Sequence, residues 1–510
     1  MSELRQVLQV PEGHRLRVRR LGVDTQFEPV VFMHKECAVC RSEGFVAHNR
    51  LLLRAGARHV IATLYQVTND LIAPDEAALS ESAWSRLELN DGDTIAISHP
   101  DPLESLSHIR GRIYGNGLSN AALLSVTADI VEGKYSDIHL SSFITACAAR
   151  PLDHGEVLGL TKAMVDVGER LSWDAEIVLD KHSVGGLPGN RTTPIIVPII
   201  SALGLTMPKT SSRAITSPAG TADTMETMAP VDLAIPDIHR VVEREGGCIV
   251  WGGAIRLSPA DDILIRIERA LDLDSEGQMI ASVLSKKIAA GSTHLILDMP
   301  VGPTAKVRSQ EAADALSAGL VAVADAFGIK ARVIVGDGTE PIGRGIGPAL
   351  EANDVLSVLQ RLPTAPHDLR HRAVALAGAL IELGGLAEHG RGATMAAQTL
   401  DDGRAWAKFQ RICEAQGGMR TPPGSNHRRP LAAGRAGRVD LMDNRKIAKL
   451  AKLAGAPEAK AAGIELHVRP GDIVSAGQPL CTVHAEARGE LAYAMDYAAA
   501  NPDIITVQEP

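Results

Sequence analysis

Asp180-Lys181-His182-Ser183-Val184-Gly185-Gly186-Leu187-Pro188-Gly189-Asn190 is the most informative stretch of this chain. It follows a short apolar strand signal, Ile177-Val178-Leu179, and precedes an apolar run over 194–205. A Gly-rich turn between a strand and the next element exposes backbone N–H groups that can cradle an anion. Lys181 adds a point charge and Ser183 a hydroxyl donor. The glycines have neither Walker nor Rossmann spacing, which argues against ATP and NAD. A tight turn with incidental polar residues is the plain alternative.

Outward from this stretch the pattern alternates. Residues 197–202 read as a buried helix or strand, and 248–250, 294–297 and 333–335 as short apolar strands. Residues 309–326 read as a helix. Such alternation predicts a mixed or parallel sheet with helices on its faces. A strong helix signal over 278–290 interrupts the alternation, so it is expected to rejoin the helical segment upstream. There Leu140, Phe143, Ile144 and Cys147 share one helical face, as do Val157, Leu160, Met164 and Val167. Asp153 with Glu156 three residues on is an N-cap signal.

The first ~100 residues are β-rich, with strand signals at 16–21, 60–65 and 94–98, a turn at Asn90-Asp91-Gly92 and helical character near 80–87. Residues 422–438 are basic and Gly-rich and read as a linker or mobile loop; a helix over 444–453 follows. Residues 464–483 read as strand, turn, strand, like a half-barrel of the biotinyl or lipoyl type without its carrier lysine. The chain is therefore expected to be a multidomain α/β protein. Its expected parts are a β-barrel-like domain at 1–100 and a helical domain at 101–175 rejoined by 258–290. An α/β domain at 176–430 and a C-terminal α+β domain at 431–510 complete it.

Length and composition set outer bounds. A chain of 510 residues is too long for one core and implies three or four domains. Aromatic residues are only 3%, so a ligand pocket here works mainly with polar and aliphatic contacts. A net charge of −9 argues against a general nucleic-acid binder. Residues 1–20 lack an apolar signal core, and the 194–205 run is too short to span a bilayer. Six thinly spread cysteines fit a reducing compartment, so a cytoplasmic protein is expected.

Two further stretches carry candidate chemistry. Residues 209–224 hold seven hydroxyl side chains, Lys209 and Arg213, a composition that suits an oxygen-rich ligand or, alternatively, a polar capping loop. Ser282 and Lys286 are four apart and share a helical face just after Asp274; an ordinary solvated face is the alternative. Cys37-x-x-Cys40 has no second pair at zinc spacing, so no metal site is expected. Gly343-Arg344-Gly345-Ile346-Gly347 reads as a turn rather than a cofactor loop.

Taken together, Lys181-His182-Ser183-x-Gly185-Gly186, Ser211-x-Arg213 with Gly220-Thr221, and Ser282-x-x-x-Lys286 resemble the thymidine and pyrimidine-nucleoside phosphorylases, in the same order. The resemblance spans about residues 105–500; the extra N-terminal ~100 residues resemble the long form shared with archaeal AMP phosphorylases, where they form a double-psi β-barrel. It implies a small helical domain and a larger α/β domain with the site between them. It also implies at least a homodimer, a nucleoside or nucleotide substrate, inorganic phosphate as co-substrate and no resident cofactor.

Residue by residue, the resemblance gives Lys181, Ser183, Thr221 and the Gly185-Gly186 backbone to phosphate, and His182, Lys286 and Ser282 to the base. Arg266 is the counterpart of a base-binding arginine, one residue out of register with Ser282. The AMP-type enzymes add Lys306 and a proton donor at Asp274. One departure stands out. A glycine-rich Ser-Gly-Arg-Gly-Leu-Gly-His in the family is here Ser211-Ser212-Arg213-Ala214-Ile215-Thr216-Ser217. Added hydroxyls beside Arg213 suit a 5′-phosphate. The expected activity is phosphorolysis of a pyrimidine nucleoside such as thymidine, with nucleoside 5′-monophosphates such as AMP as the alternative. A phosphoribosyltransferase and a non-catalytic nucleotide-binding protein are the remoter readings.

Overall fold

In β1 (Arg15–Arg20) the apolar side chains alternate with arginines, so Leu16 and Val18 turn inward while Arg15, Arg17 and Arg19 stay in water. The same logic builds β2 (Val30–His34), β3 (Arg50–Ala55), β4 (Arg58–Val67), β5 (Glu76–Leu79) and β6 (Thr94–Ser98). These six strands close into a barrel in the order β1-β5-β2-β4-β3-β6. The pairs β1–β5 and β2–β4 are parallel, and the rest are antiparallel. Val31, Leu51, Leu53, Leu64, Leu79, Ile95 and Ile97 fill its core together with Cys37 and Cys40. The Ser80 hydroxyl caps the helix Glu81–Leu87 and receives the Val30 N–H at 3.0 Å, tying helix to strand. A computed structural model describes residues 15–214, 217–273 and 275–508. The barrel belongs to one compact unit, made of residues up to Arg110 with 129–139; residues 111–128 and those from Leu140 onward form a second.

The second unit is organised by a parallel sheet. β7 (Leu179–Ser183), β10 (His294–Val301) and β11 (Lys330–Asp337) lie in the order β11-β10-β7. A single parallel bridge, Val178 to Thr206, joins β7 to the parallel pair β8 (Met207–Ser211) and β9 (Gly247–Trp251). The ambiguous stretch over 197–202 is helical: Thr193–Ala202 is a helix with Pro194 in its first turn, and Ile195, Ile196, Val197, Ile199 and Ile200 are all buried. It reads as strand-like because a helix buried on every side has no polar face to reveal its period.

Helices from two separate stretches come together in this unit. His154–Asp166 packs against Glu276–Ala289, as the interrupting helix signal implies. Asp153 and Glu156 form a full capping box. Glu156 is also the anchor for Arg112, whose guanidinium donates to it at 2.6 Å, and for the Leu118 N–H at 2.8 Å.

The C-terminal part holds two small sheets: β12 (Gly345–Ile346), β13 (His427–Ala432), β15 (Gly463–Leu466) and β17 (Pro479–Ala485) in one, and β14 (Gly437–Met442), β16 (Ile473–Val474) and β18 (Ile505–Gln508) in the other. Residues 422–438 therefore do not form a linker; they contain β13 and the start of β14. The strand is hidden because, among the described residues, β13 pairs only with β17 at a sheet edge, and Arg428, Arg429 and Pro430 are all exposed.

The Arg112–Glu156 pair gives a test of the helical segment. Arg112→Met leaves a buried carboxylate without its cation, which costs about 3–5 kcal/mol. Urea unfolding should show that loss, and Arg112→Met combined with Glu156→Gln should recover part of it.

Candidate active site

Lys181, His182 and Ser183 lie on β7 itself, not in the turn after it. Their register is fixed by β10: Lys181 opposes Ile296, His182 opposes Leu297 and Ser183 opposes Asp298. The turn begins at Val184, whose N–H donates to the Asp298 carbonyl at 2.8 Å. Strand alternation then sends Lys181 and Ser183 to one face and Asp180 and His182 to the other.

The first face is organised by Asp298. One carboxylate oxygen receives Ser183 Oγ at 2.8 Å and Asn190 Nδ2 at 3.0 Å, with Lys181 Nζ at 3.3 Å; the other receives Arg372 at 2.6 Å. Lys181 also donates to Thr192 Oγ1 at 2.8 Å and to Ser183 Oγ. Burial alone would raise the Asp298 carboxyl, but Lys181 and Arg372 outweigh it and hold it at about 2. Burial pushes Lys181 down to about 8 against the pull of Asp298, because Arg372 and Arg191 repel its charge. Gly185 has φ +100°, and a Cβ there would lie 2.8 Å from the Lys306 Cβ. The turn thus needs glycine both for its conformation and to admit Lys306.

Thr221 joins this face through Arg191. The Arg191 guanidinium donates to Thr221 Oγ1 at 2.8 Å, to the Ala219 carbonyl at 2.7 Å and to Glu351 at 2.6 Å. Gly220 packs so tightly on the preceding loop that a Cβ would lie 2.5 Å from the Ser212 carbonyl oxygen.

The second face holds the base-side candidates. Lys286 pairs with Asp261, and that partner keeps its ammonium raised although burial opposes it. Burial pushes the neighbouring Asp262 up to about 6. Burial, then Lys287, Lys209 and Lys286, push the His182 imidazole well below its ordinary value. Ser282 is partly buried one helical turn before Lys286. Arg266 sits on the helix Pro259–Leu271, which also supplies Asp261 and Asp262.

The loop after β8 is differently disposed. Arg213 donates to both oxygens of Glu226 at 2.8 and 2.9 Å and to Asp223 at 3.2 Å, and its guanidinium lies 4.7 Å over the Trp251 ring. Ser212 is exposed, the Ala214 N–H donates to Asp223 at 2.6 Å, and Ser217 Oγ donates to the Ala219 carbonyl at 2.7 Å. Ile215, Thr216 and Asp274 lie outside the described residues. Among the described residues no group of three or more His, Cys, Asp or Glu could hold a metal ion, and no helix is long and apolar enough to cross a membrane.

Residues 107–168 match a glycosyl transferase family helical bundle domain, residues 175–406 the a/b domain of that family, and residues 438–504 a pyrimidine nucleoside phosphorylase C-terminal domain. A protein of Polaromonas sp. (strain JS666 / ATCC BAA-500), provisionally named thymidine phosphorylase, is 59% identical over 97% of this chain and 97% of its own length. The chain belongs to the thymidine and pyrimidine-nucleoside phosphorylase family. Another family member provisionally named thymidine phosphorylase, from Sphingopyxis alaskensis (strain DSM 13593 / LMG 18877 / RB2256), is 61% identical over 97% of this chain and 96% of its own. The fold extends beyond the family. The crystal structure of anthranilate phosphoribosyltransferase from Thermus thermophilus aligns with 61% of this chain and 99% of its own, with TM-score 0.51 and 18% identity.

Several residues that build the Lys181–Ser183 face carry no motif signal of their own. Arg191 and Thr192 directly follow the Gly-rich stretch and could have been included with it. Asp298 gives one signal, a lone acid in the apolar strand His294–Val301. Arg372 and Glu351 sit in ordinary amphipathic helices and give none.

Asp180 is held at about 2, burial being outweighed by Lys209 and Lys287, and Asp298 likewise. Unfolded aspartate titrates near ~3.9. A depressed carboxylate contributes stability that is present above the unfolded value and lost as pH falls through the folded one. The unfolding free energy should therefore drop between about pH 4 and pH 2. Asp298→Asn should be less stable at pH 7 and should lose part of that slope in urea melts run across the range.

Proposed function

We propose that the chain splits the N-glycosidic bond of a pyrimidine nucleoside such as thymidine with inorganic phosphate, giving thymine and 2-deoxyribose 1-phosphate. The observation that carries this reading is the division of β7 into a cation- and hydroxyl-lined face and a face bearing His182. Phosphate is already an anion, so no side-chain nucleophile is required. Lys181, Ser183, Thr221 and the Gly185-Gly186 N–H groups hold it behind C1′. A phosphate oxygen forms the new bond to C1′ as the C1′–N bond breaks and its electron pair passes to the base. His182, Lys286 and Ser282 bind the base and stabilise that charge. Asp274 supplies the proton that neutralises it. Positioning of the two reactants alone lowers such a barrier by up to ~7–11 kcal/mol.

Arg213 favours nucleosides over 5′-monophosphates. Its guanidinium is engaged by Glu226 and Asp223, and Lys460 lies 2.9 Å from Glu226. A 5′-phosphate at Ser212, Arg213, Ala214 and Ser217 would meet two carboxylates whose charge is already matched. The family also implies assembly into at least a dimer, measurable by sedimentation. Six unpaired, buried cysteines support a reducing compartment such as the cytoplasm.

The deciding assay is phosphate-dependent base release from thymidine, uridine, AMP, CMP and UMP. Thymidine or uridine should exceed every monophosphate by at least about tenfold in kcat/KM, a 1.4 kcal/mol preference. A monophosphate preference would overturn the nucleoside reading. Lys181→Met should cut kcat/KM for phosphate by about 10- to 150-fold, the loss of a charge-assisted hydrogen bond. In the unaltered chain that same parameter should decline as pH rises above about 8, where Lys181 gives up its charge.

A further inference from the structure

Behind His182 lies a charge cluster that the proposed mechanism does not use. Asp180, Lys209 and Lys287 are all at least 95% buried. Lys209 Nζ lies 3.0 Å from Asp180 Oδ1 and donates to the Thr210 carbonyl at 2.7 Å. Lys287 Nζ donates to Asp180 Oδ2 at 2.7 Å, beside Ser292 Oγ at 3.3 Å. Two ammonium groups thus share one carboxylate and leave a surplus positive charge in the interior. Desolvating an ion costs several kcal/mol, and one lysine would neutralise Asp180, so the second cation calls for a reason. Topology offers one. Asp180 and His182 share a face of β7, Lys209 comes from the neighbouring β8, and Lys287 follows Lys286 on the helix Glu276–Ala289.

We propose that Lys209 is a positioning residue for the base side of the site: from β8 it fixes Asp180, and with Lys287 it sets the positive charge behind His182. The inference rests on the reading of His182 as a base contact. The charged groups acting on His182 are Lys287 and Lys286 from the helix, Lys209 from β8 and Asp180 from its own strand. Asp261 and Asp262 lie beyond, on Lys286. Lys286 is matched by Asp261, but Lys209 and Lys287 share the single carboxylate of Asp180, and burial together with these lysines disfavours the imidazolium form. His182 therefore meets the base as a neutral hydrogen-bonding ring. The surplus charge behind it favours the electron pair that arrives on the departing base.

The test uses the full chain with labelled histidine. The His182 ring signal is identified by its loss in His182→Asn. In the unaltered protein His182 should titrate well below the ~6.5 of a free imidazole. In Lys209→Met it should titrate at least about one unit higher, a tenfold change in proton affinity. Lys209→Arg should behave as the unaltered chain. Lys287 falls to about 7, so it is charged wherever His182 titrates and its own response does not mask the shift. In kinetics, the acidic limb of kcat/KM for the nucleoside should move up with Lys209→Met, while KM for phosphate stays within about twofold. Should Lys209→Met be too unstable to study, Lys209→Gln keeps a hydrogen bond to Asp180 without charge, and the same shift is expected. A folded, uncharged variant whose His182 titrates as in the unaltered chain overturns the proposal. Failure of base release in the unaltered chain would instead sink the functional reading, because the ring titration does not depend on turnover.

Discussion

A β-strand cannot send two consecutive side chains to the same side, and β7 turns that constraint into a partition. Lys181 and Ser183 meet Asp298, Thr192 and the glycine turn, while Asp180 on the other face pairs with the lysines of β8 and of the helix Glu276–Ala289, whose charge also acts on His182. Five residues of backbone thereby separate two kinds of environment by less than the thickness of a sheet. The register with β10 holds the partition in place, since a slip of one residue would exchange the two faces.

The arrangement is costly in isolation. Asp180 and Asp298 are both about 1% exposed, and each sits among more cations than it can neutralise. Buried ion groups of this kind seldom add stability over an apolar replacement. Under the proposed function, the surplus of positive charge in the two buried clusters prepares for negative charge that arrives later, on phosphate at one face and on the leaving base at the other. Perturbed titration at Lys181, Lys287 and His182 accompanies the same surplus.

What could be read from the sequence followed from locality. The Gly-rich stretch after an apolar strand, the Asp153–Glu156 cap and the periodic helix beginning near Gln278 each lie within a dozen residues, and each corresponds to a feature of the fold. What could not be read depends on contacts across the chain. Asp298 reaches Lys181, Ser183 and Asn190 from more than 100 residues away, and Arg372 reaches Asp298 from 74. Lys209 looks like one more polar residue in a hydroxyl-rich stretch, yet its strand is wholly buried. The arginines of β13 look like linker because both faces of that strand are wet.

The pairing of His154–Asp166 with Glu276–Ala289 also has a meaning in time. About 110 residues of chain separate the two helices. At typical synthesis rates the first waits roughly 5–20 s for its partner to leave the ribosome. Throughout that interval Val157, Leu160 and Met164, which end up buried, have no completed packing surface. For those seconds the nascent protein carries an apolar stripe open to the wrong partners, the kind of exposure from which aggregation starts.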